Sequence, residues 1–582
     1  MGERENPLYR MPRNPFRVLT FRDWIYIPHL LGRRERAILG FFLALALIGG
    51  ITTGTVALQR FTSIAPEHGG TFKEGVTRLP ERVNPLFLAS NDTDRDLVEL
   101  IFAKLFSYDS KGSLIPDIAK SYEVGDDGRT YTIALRADVL WHDGVPLTVD
   151  DVLFTIRAIQ DPAYKSSLRP NWQGVTAERL GDHTMRILLK QSYSPFIQNL
   201  ALPVIPKHIW ERIPAEAATL VEVNIKPIGA GPYRVKKIVQ TDSGIIDSYV
   251  LEAYDDYHRE GPYIKTIEFS FYEDEEAMLR AYQSGAIDGI SILSAKNLEL
   301  AKSMGAEVHA IRMPRVFGIF LNEANPSLKE LRVRQALALA IPKDALIETA
   351  LGGGAIPVDT PIPPGTFGYN PDVAKTPFNP EQARSLLEKT GWKDQNRDGI
   401  REKAASKKGE QPTPLKITLV TSDWKDLIET ANAVKAYWRE IGVDTEVRSL
   451  PISDLESEAI RPRKYDALLF GEILGRDPDP FAFWHSSQLK DPGLNIALYH
   501  SPKVDSLLES ARRATNRAEI EAKYKEFQKV VDNDFPTIFL YSPTYFYATR
   551  PVIKGIELES LVVPSERFDS LYRWFIETRR EF

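Results

Sequence analysis

The sequence predicts an α/β protein, and three observations carry the prediction. From Val316 to about residue 545, buried-strand patterns alternate with amphipathic helices. The stretch Leu100–Ile156 holds two hairpin signals and then a helix with its own start chemistry. The composition, 43% apolar and 26% charged over 582 residues, suits a folded chain large enough for several domains.

The chain opens on a basic segment. Residues 1–36 carry eight arginines against four acids, so the rest holds the acidic excess behind the net charge of −6. Ala37–Leu58 is an uncharged run of 22 residues behind Arg33, Arg34 and Arg36. As a helix it would span roughly 33 Å, enough to cross a bilayer. The flanking arginines place the N-terminus in the cytoplasm and the main body outside. A cleaved signal peptide is the rival reading. Against it stand the long N-terminal region, the length of the run and the mediocre cleavage site Thr55-Val56-Ala57. Gly50 and Gly54 form a GxxxG that would let two such helices pack. Phe21, Trp24, Ile25, Tyr26, Leu30 and Leu31 among arginines suit a segment on the inner membrane surface, or equally a disordered tail.

After a linker to Gly70, GGTFKEGV and Asn84-Pro85-Leu86-Phe87 read as a first strand and turn. Asp127-Gly128 is a hairpin turn before a strand in which Tyr131, Ile133 and Leu135 alternate with Thr132, Ala134 and Arg136. Asp143-Gly144 is a second turn, and Thr148 with Asp151 forms a capping box ahead of Val152, Leu153, Ile156 and Ile159 at helical spacing. Gly229-Ala230-Gly231-Pro232-Tyr233 lacks the third glycine and the helix of a phosphate loop, and reads as a turn into a strand. Phe317–Asn322 is a buried strand, followed by two helices broken at Pro342. Asp394, Asn396, Asp398 and Gly399 spell the first half of a calcium loop, but its twelfth position is Ala405 and Glu402 at the ninth does not repair it. A polar surface turn competes with weak calcium binding there.

The order of motifs from YD..G...P.IA.SYEV.DDG.TYT..LR....WHDG.PLT..DV.F through GAGPY, AYQSGAIDGI and RVRQALA.AI to the Asp477-Pro478 loop resembles the family 5 extracellular solute-binding proteins, receptors of ABC importers. The resemblance covers roughly residues 68–582. It implies a two-lobed, periplasmic-binding-protein-like (type II) fold with an extra subdomain in lobe I, here preceded by one transmembrane helix. The expected division is a cytoplasmic tail 1–36, an anchor 37–58, a linker 59–70, lobe I at 71–312, lobe II at 313–550 and a return to lobe I at 551–582. Hinge crossings would fall near 313–317 and 545–551. The implied function is a membrane-anchored, single-pass extracytoplasmic receptor that closes on peptides and docks on ABC permease subunits. A ligand sensor without transport, or a receptor for nickel chelates or oligosaccharides, is the alternative, with an ectoenzyme a distant third.

In that family an aspartate three places ahead of the Asp-Pro accepts a peptide's α-ammonium, and here that place is Leu474. A buried ammonium needs a carboxylate to offset its desolvation. Glu472 and Asp477 are the nearest acids, so both are candidate ligand residues, with Asp477 and Asp479 alternatively capping the helix after them. Trp484 reads as core or as pocket wall, and Asn322 and Asn495 as amides for a peptide backbone or for their own loops. No cofactor is expected. The absence of GxSxG, HExxH and G-x-x-x-x-G-K-[ST] argues against an enzyme, and His142-Asp143 reads as a turn. Zero cysteines removes thiol chemistry, disulfides and a lipid-bearing cysteine, and the acidic body argues against nucleic acid.

Overall fold

The computed structural model describes residues 31–61, 63–87, 91–109, 112–405, 411–514 and 516–581, with backbone alone at 51, 54–61, 63, 64, 580 and 581. The chain divides into two compact units, Met1–Pro66 with Thr578–Phe582, and Glu67–Glu577.

The first unit holds the helix Arg33–Phe61, of 29 residues, and the paired short strands Ser63–Glu67 and Glu577–Glu581. Ile38, Phe41, Phe42, Leu43, Leu45, Leu47 and Ile48 project from that helix exposed. Among the described residues no helix is long and apolar enough to cross a membrane. The expected anchor Ala37–Leu58 falls on this helix, and the side chains of its residues 51 and 54–58 lie outside the described residues, as does the whole of the segment expected to lie on the membrane surface up to residue 30.

The second unit is built on one long mixed sheet. Its strands run in the spatial order Asp444–Leu450, Lys416–Ser422, Ala467–Ile473, Arg315–Leu321, Thr537–Thr549, Gly289–Leu293, Gly69–Val76, Ile264–Phe271, Ile246–Ala253, Tyr233–Gln240. Thr537–Thr549 is the shared member. Its first half pairs antiparallel with Arg315–Leu321, and its second half with Glu307–Arg312. One chain crossing is thus Met313-Pro314, between two strands, and the other is Ser542-Pro543, inside a single strand. Ser542 Oγ donates to the Met313 carbonyl at 3.0 Å and ties the two together. Hydrophobic cores divide at the same place. One large core runs from Phe72 through Phe269, takes in Ile311 and Met313 and resumes at Tyr545–Trp574, a smaller one joins residues 278–301 to Ala548, and two others are built from residues 316–541.

The local chemistry read from the sequence is visible in these elements. Tyr131, Ile133 and Leu135 are buried on the strand Thr130–Leu135, which sits in a separate four-stranded antiparallel sheet with Ala119–Val124, Thr184–Leu188 and Thr176–Arg179. Asp151 accepts from the Thr148 amide at 2.8 Å, closing the start of the helix Val149–Gln160. The same carboxylate accepts from the Lys207 amide at 2.9 Å, so the cap also docks the segment Ile205–Trp210. Gly229 and Gly231 precede the strand Tyr233–Gln240, and a Cβ at Gly229 would lie 1.8 Å from the Ile101 carbonyl oxygen. The glycines there serve close backbone packing. His142, on the turn after Trp141, packs against the glycine turn: its Nδ1 accepts from the Gly229 amide at 3.2 Å and its Nε2 lies 3.1 Å from the Gly231 carbonyl. Burial lowers its pKa to about 4, so it holds this turn as a neutral ring.

Candidate functional site

The strand Ala467–Ile473 ends in the segment Leu474–Pro480, where Pro478 and Pro480 forbid a continued ladder. Leu474 is buried and its amide donates to the Pro314 carbonyl at 2.8 Å, so the loop begins against a chain crossing. The next residues reach across to the lobe built on the large core. Arg476 donates to Glu566 at 2.7 Å and to the Ser560 carbonyl at 3.3 Å, with its guanidinium 4.6 Å from the ring centre of Tyr108. Gln198 Nε2 donates to the Asp477 carbonyl, and the Tyr193 hydroxyl donates to Asp479 at 3.0 Å. Burial raises the Glu566 pKa while Arg476 opposes it, which is the signature of a carboxylate that depends on its partner. Burial, and then the neighbouring Asp479, push the Tyr193 hydroxyl up, so it stays a donor.

Between the lobes lies a cavity of about 730 Å³. One wall comes from residues 170–175 and 189–199, the other from Ile473–Gly475, Asp477, Asp479, Ala482, Phe483 and Arg512. Smaller spaces of about 150 and 500 Å³ adjoin the loop, both lined by Arg517. Asp479 is held by Arg512, whose Nε lies 3.0 Å from each carboxylate oxygen and whose guanidinium stacks 3.6 Å over Phe481. Asp477 pairs with Arg517 at 2.7 Å. The first wall is rich in side-chain amides, with Asn171, Gln173, Gln191 and Asn199 making no side-chain hydrogen bond among the described residues. Paired charges and free amides suit non-covalent capture of a polar solute.

Of the five residues singled out from the sequence, Asp477 lines the cavity. The other four lie inside the lobe that carries the loop. Asn322 donates to the Tyr465 carbonyl at 2.8 Å and accepts from the Ala324 amide at 3.0 Å. Asn495 donates to the carbonyls of His485 and Tyr499 at 3.2 and 2.8 Å and accepts from the Tyr499 amide at 3.1 Å. Trp484 is buried among Phe320, Tyr499, Phe527 and Phe539. Glu472 is buried beside it, and neither carboxylate oxygen has a hydrogen-bond partner of good geometry among the described residues. Burial pushes its pKa up to about 8, against a smaller lowering by Trp484. At Asp394, Asn396 and Asp398 the polar groups serve their own turn: Gly399 donates to Asp394 at 3.1 Å, Asn396 to Asp398 at 3.0 Å, and Ile400 to Asp398 at 2.7 Å. Among the described residues no group of three or more histidines, cysteines or acids is placed to hold a metal ion. Tyr193, Gln198, Arg476 and Arg512 carry no motif and were missed. Their partners are 33, 90, 279 and 286 residues away.

Comparison with known families decides the identity. The model of the bacterial extracellular solute-binding proteins, family 5 Middle, matches residues 113–493, more than half of the chain. The chain belongs to this family. Among its relatives, the oligopeptide-binding protein AppA of Bacillus subtilis (strain 168) is 27% identical over 88% of this chain and 92% of its own length. The dipeptide-binding protein of Escherichia coli (strain K12) is 25% identical over 83% and 91%. The solved structure of AppA with a nonapeptide superposes with a TM-score of 0.69, covering 88% of this chain and all of that one. NikZ of Campylobacter jejuni with Ni(L-His), at 27% identity, gives 0.68 over 87% and 99%. The two-domain α/β fold of the second unit is therefore that of family 5 solute-binding proteins.

Proposed function

We propose that this family 5 protein is the extracytoplasmic receptor of an ABC importer and captures peptides between its lobes, one built on about residues 71–313 with 543–577 and the other on 314–542. The observation that carries the reading is the 730 Å³ cavity walled by both lobes, whose rim is stitched by Arg476–Glu566 and Tyr193–Asp479. A solute there touches both lobes and so favours the closed form over the open one. Asp477 faces the solute, while Asn322, Glu472, Trp484 and Asn495 belong to the interior of the lobe that carries the loop. The closed form docks on permease subunits, and the helix Arg33–Phe61, with its uncharged run Ala37–Leu58, tethers the receptor to the membrane. Asp394–Gly399 is a polar turn.

Native mass spectrometry of the full chain, released from membranes without denaturant, is expected to show a retained small solute and displacement by a mixed peptide library. Absence of displacement by peptides, with displacement by nickel–histidine, would favour the second reading, which the relationship to NikZ supports. Alkaline carbonate washing is expected to leave the full chain in the membrane pellet; its release would remove the tether.

A further inference from the structure

We infer that the interlobe cavity selects solutes that bring no free ammonium to the Asp477 loop, and that Lys190 receives their negative end. The inference rests on the proposed peptide-capturing function and deepens it to a charge class. Four charged side chains line the cavity: Lys190, Asp477, Asp479 and Arg512. Both carboxylates already have a guanidinium beside them, hydrogen-bonded at Asp479 and in ion-pair contact alone at Asp477. Asp479 holds Arg512 through both oxygens at 3.0 Å and also accepts from Tyr193 at 3.0 Å. Asp477 holds Arg517 at 2.7 Å. Lys190 alone among the four has no ion-pair partner among the described residues. The end of its side chain lies over Gly174 on the wall, where a Cβ would meet Cε at 2.8 Å and Nζ at 2.9 Å.

The charge that remains uncompensated is a cation. A ligand ammonium entering here loses its hydration, meets carboxylates already paired with guanidinium groups, and shares the cavity with Lys190. A carboxylate, or an uncharged end, meets the lysine and the amides of Asn171, Gln173, Gln191 and Asn199 without that penalty. The site thus works by exclusion as well as attraction. Leu474, buried at the start of the loop, adds no acid to change the sum.

Titration calorimetry on the full chain in detergent, after stripping retained solute, tests this with one mixed pentapeptide library in four forms: free at both ends, N-acetylated, C-amidated, and blocked at both ends. N-acetylation is expected to tighten binding at least tenfold and C-amidation to weaken it severalfold. Lys190→Gln, an exposed position, removes the effect of amidation and reduces that of acetylation. Arg517→Gln frees Asp477 and shifts preference toward the free-amine forms. Equal or tighter binding of free-amine forms by the wild type overturns the inference while leaving the peptide reading intact. If no peptide form binds, the peptide reading fails. The charge rule is then read from nickel chelates, where binding of cationic nickel–ethylenediamine in preference to anionic nickel–EDTA overturns it and the reverse supports it.

Discussion

At the scale of single residues, Glu472 is the clearest case of a group held against its own preference. It is 1% exposed, both oxygens lack good hydrogen bonds among the described residues, and its pKa is pushed up to about 8 by burial. The unfolded side chain titrates near 4.5. Below that value both states are protonated and the residue is neutral in its effect. As pH rises from about 4.5 to about 8, the unfolded chain releases the proton while the native chain keeps it, and stability falls. Above about 8 the full penalty is present. Glu472→Gln keeps the shape and removes the proton release, so the variant gains on wild type between pH 5 and pH 9, by about 4 kcal/mol. Urea unfolding of both proteins at the two pH values measures the gain; a pH-independent difference would mean that Glu472 is not the titrating group. Asn495 makes the opposite case, since all its bonds are internal. Asn495→Ala is expected to lower stability by about 2–4 kcal/mol and to leave the affinity of the folded receptor unchanged. Thermal melts paired with calorimetry separate the two effects.

At the scale of elements, the loop Leu474–Pro480 joins the lobes by reaching across rather than by hydrophobic packing. Arg476 is its strongest arm. Removing it in Arg476→Ala leaves Glu566 facing the closed interface without its cation, and opening lets water solvate that carboxylate. The penalty falls on the closed form, by about 3 kcal/mol on the scale of a broken buried pair, or roughly two decades in the open-to-closed ratio. Small-angle scattering of the ligand-free variant is expected to show a larger radius of gyration than wild type; identical curves would remove the arm from the closure equilibrium. The limits of sequence reading appear in this same loop. The Thr148–Asp151 cap, the turn after Asp127 and the strand Thr130–Leu135 were legible because their chemistry lies within a few residues. The strand–helix alternation showed the α/β layering, and the family motifs located the Asp-Pro loop. What Asp479 touches was not legible, since Tyr193 and Arg512 come from distant segments with no pattern of their own. Glu472 was singled out as an acid near the Asp-Pro motif and Asn495 by its match to a recurrent family asparagine, and neither signal distinguishes a cleft-facing side chain from a core-facing one.

At the scale of the whole molecule, both chain crossings lie side by side and share one bond, from Ser542 to Met313. A single strand, Thr537–Thr549, carries its ladder into both lobes, so closure is a bend within a continuous sheet and not a sliding of separate bodies. Such a hinge has little preference of its own, and the balance is set by what bridges the cleft. In the wild type Arg476, Gln198 and Tyr193 supply bridges of the chain's own. These bridges bias the wild type toward closure, and the tightest-binding peptide form is expected to change its scattering curve less than that of Arg476→Ala. In Arg476→Ala the open form dominates, and the same ligand must supply the closure. Restoring the wild-type ratio takes the same ~3 kcal/mol of differential affinity, well within the range of a ligand that touches both lobes. The variant's affinity should fall by about the same factor as its closed population, while its radius of gyration contracts on binding to the wild-type value. A variant that binds as tightly as wild type but stays expanded would show that solute is held by one lobe alone, and the bridging mechanism would have to be abandoned.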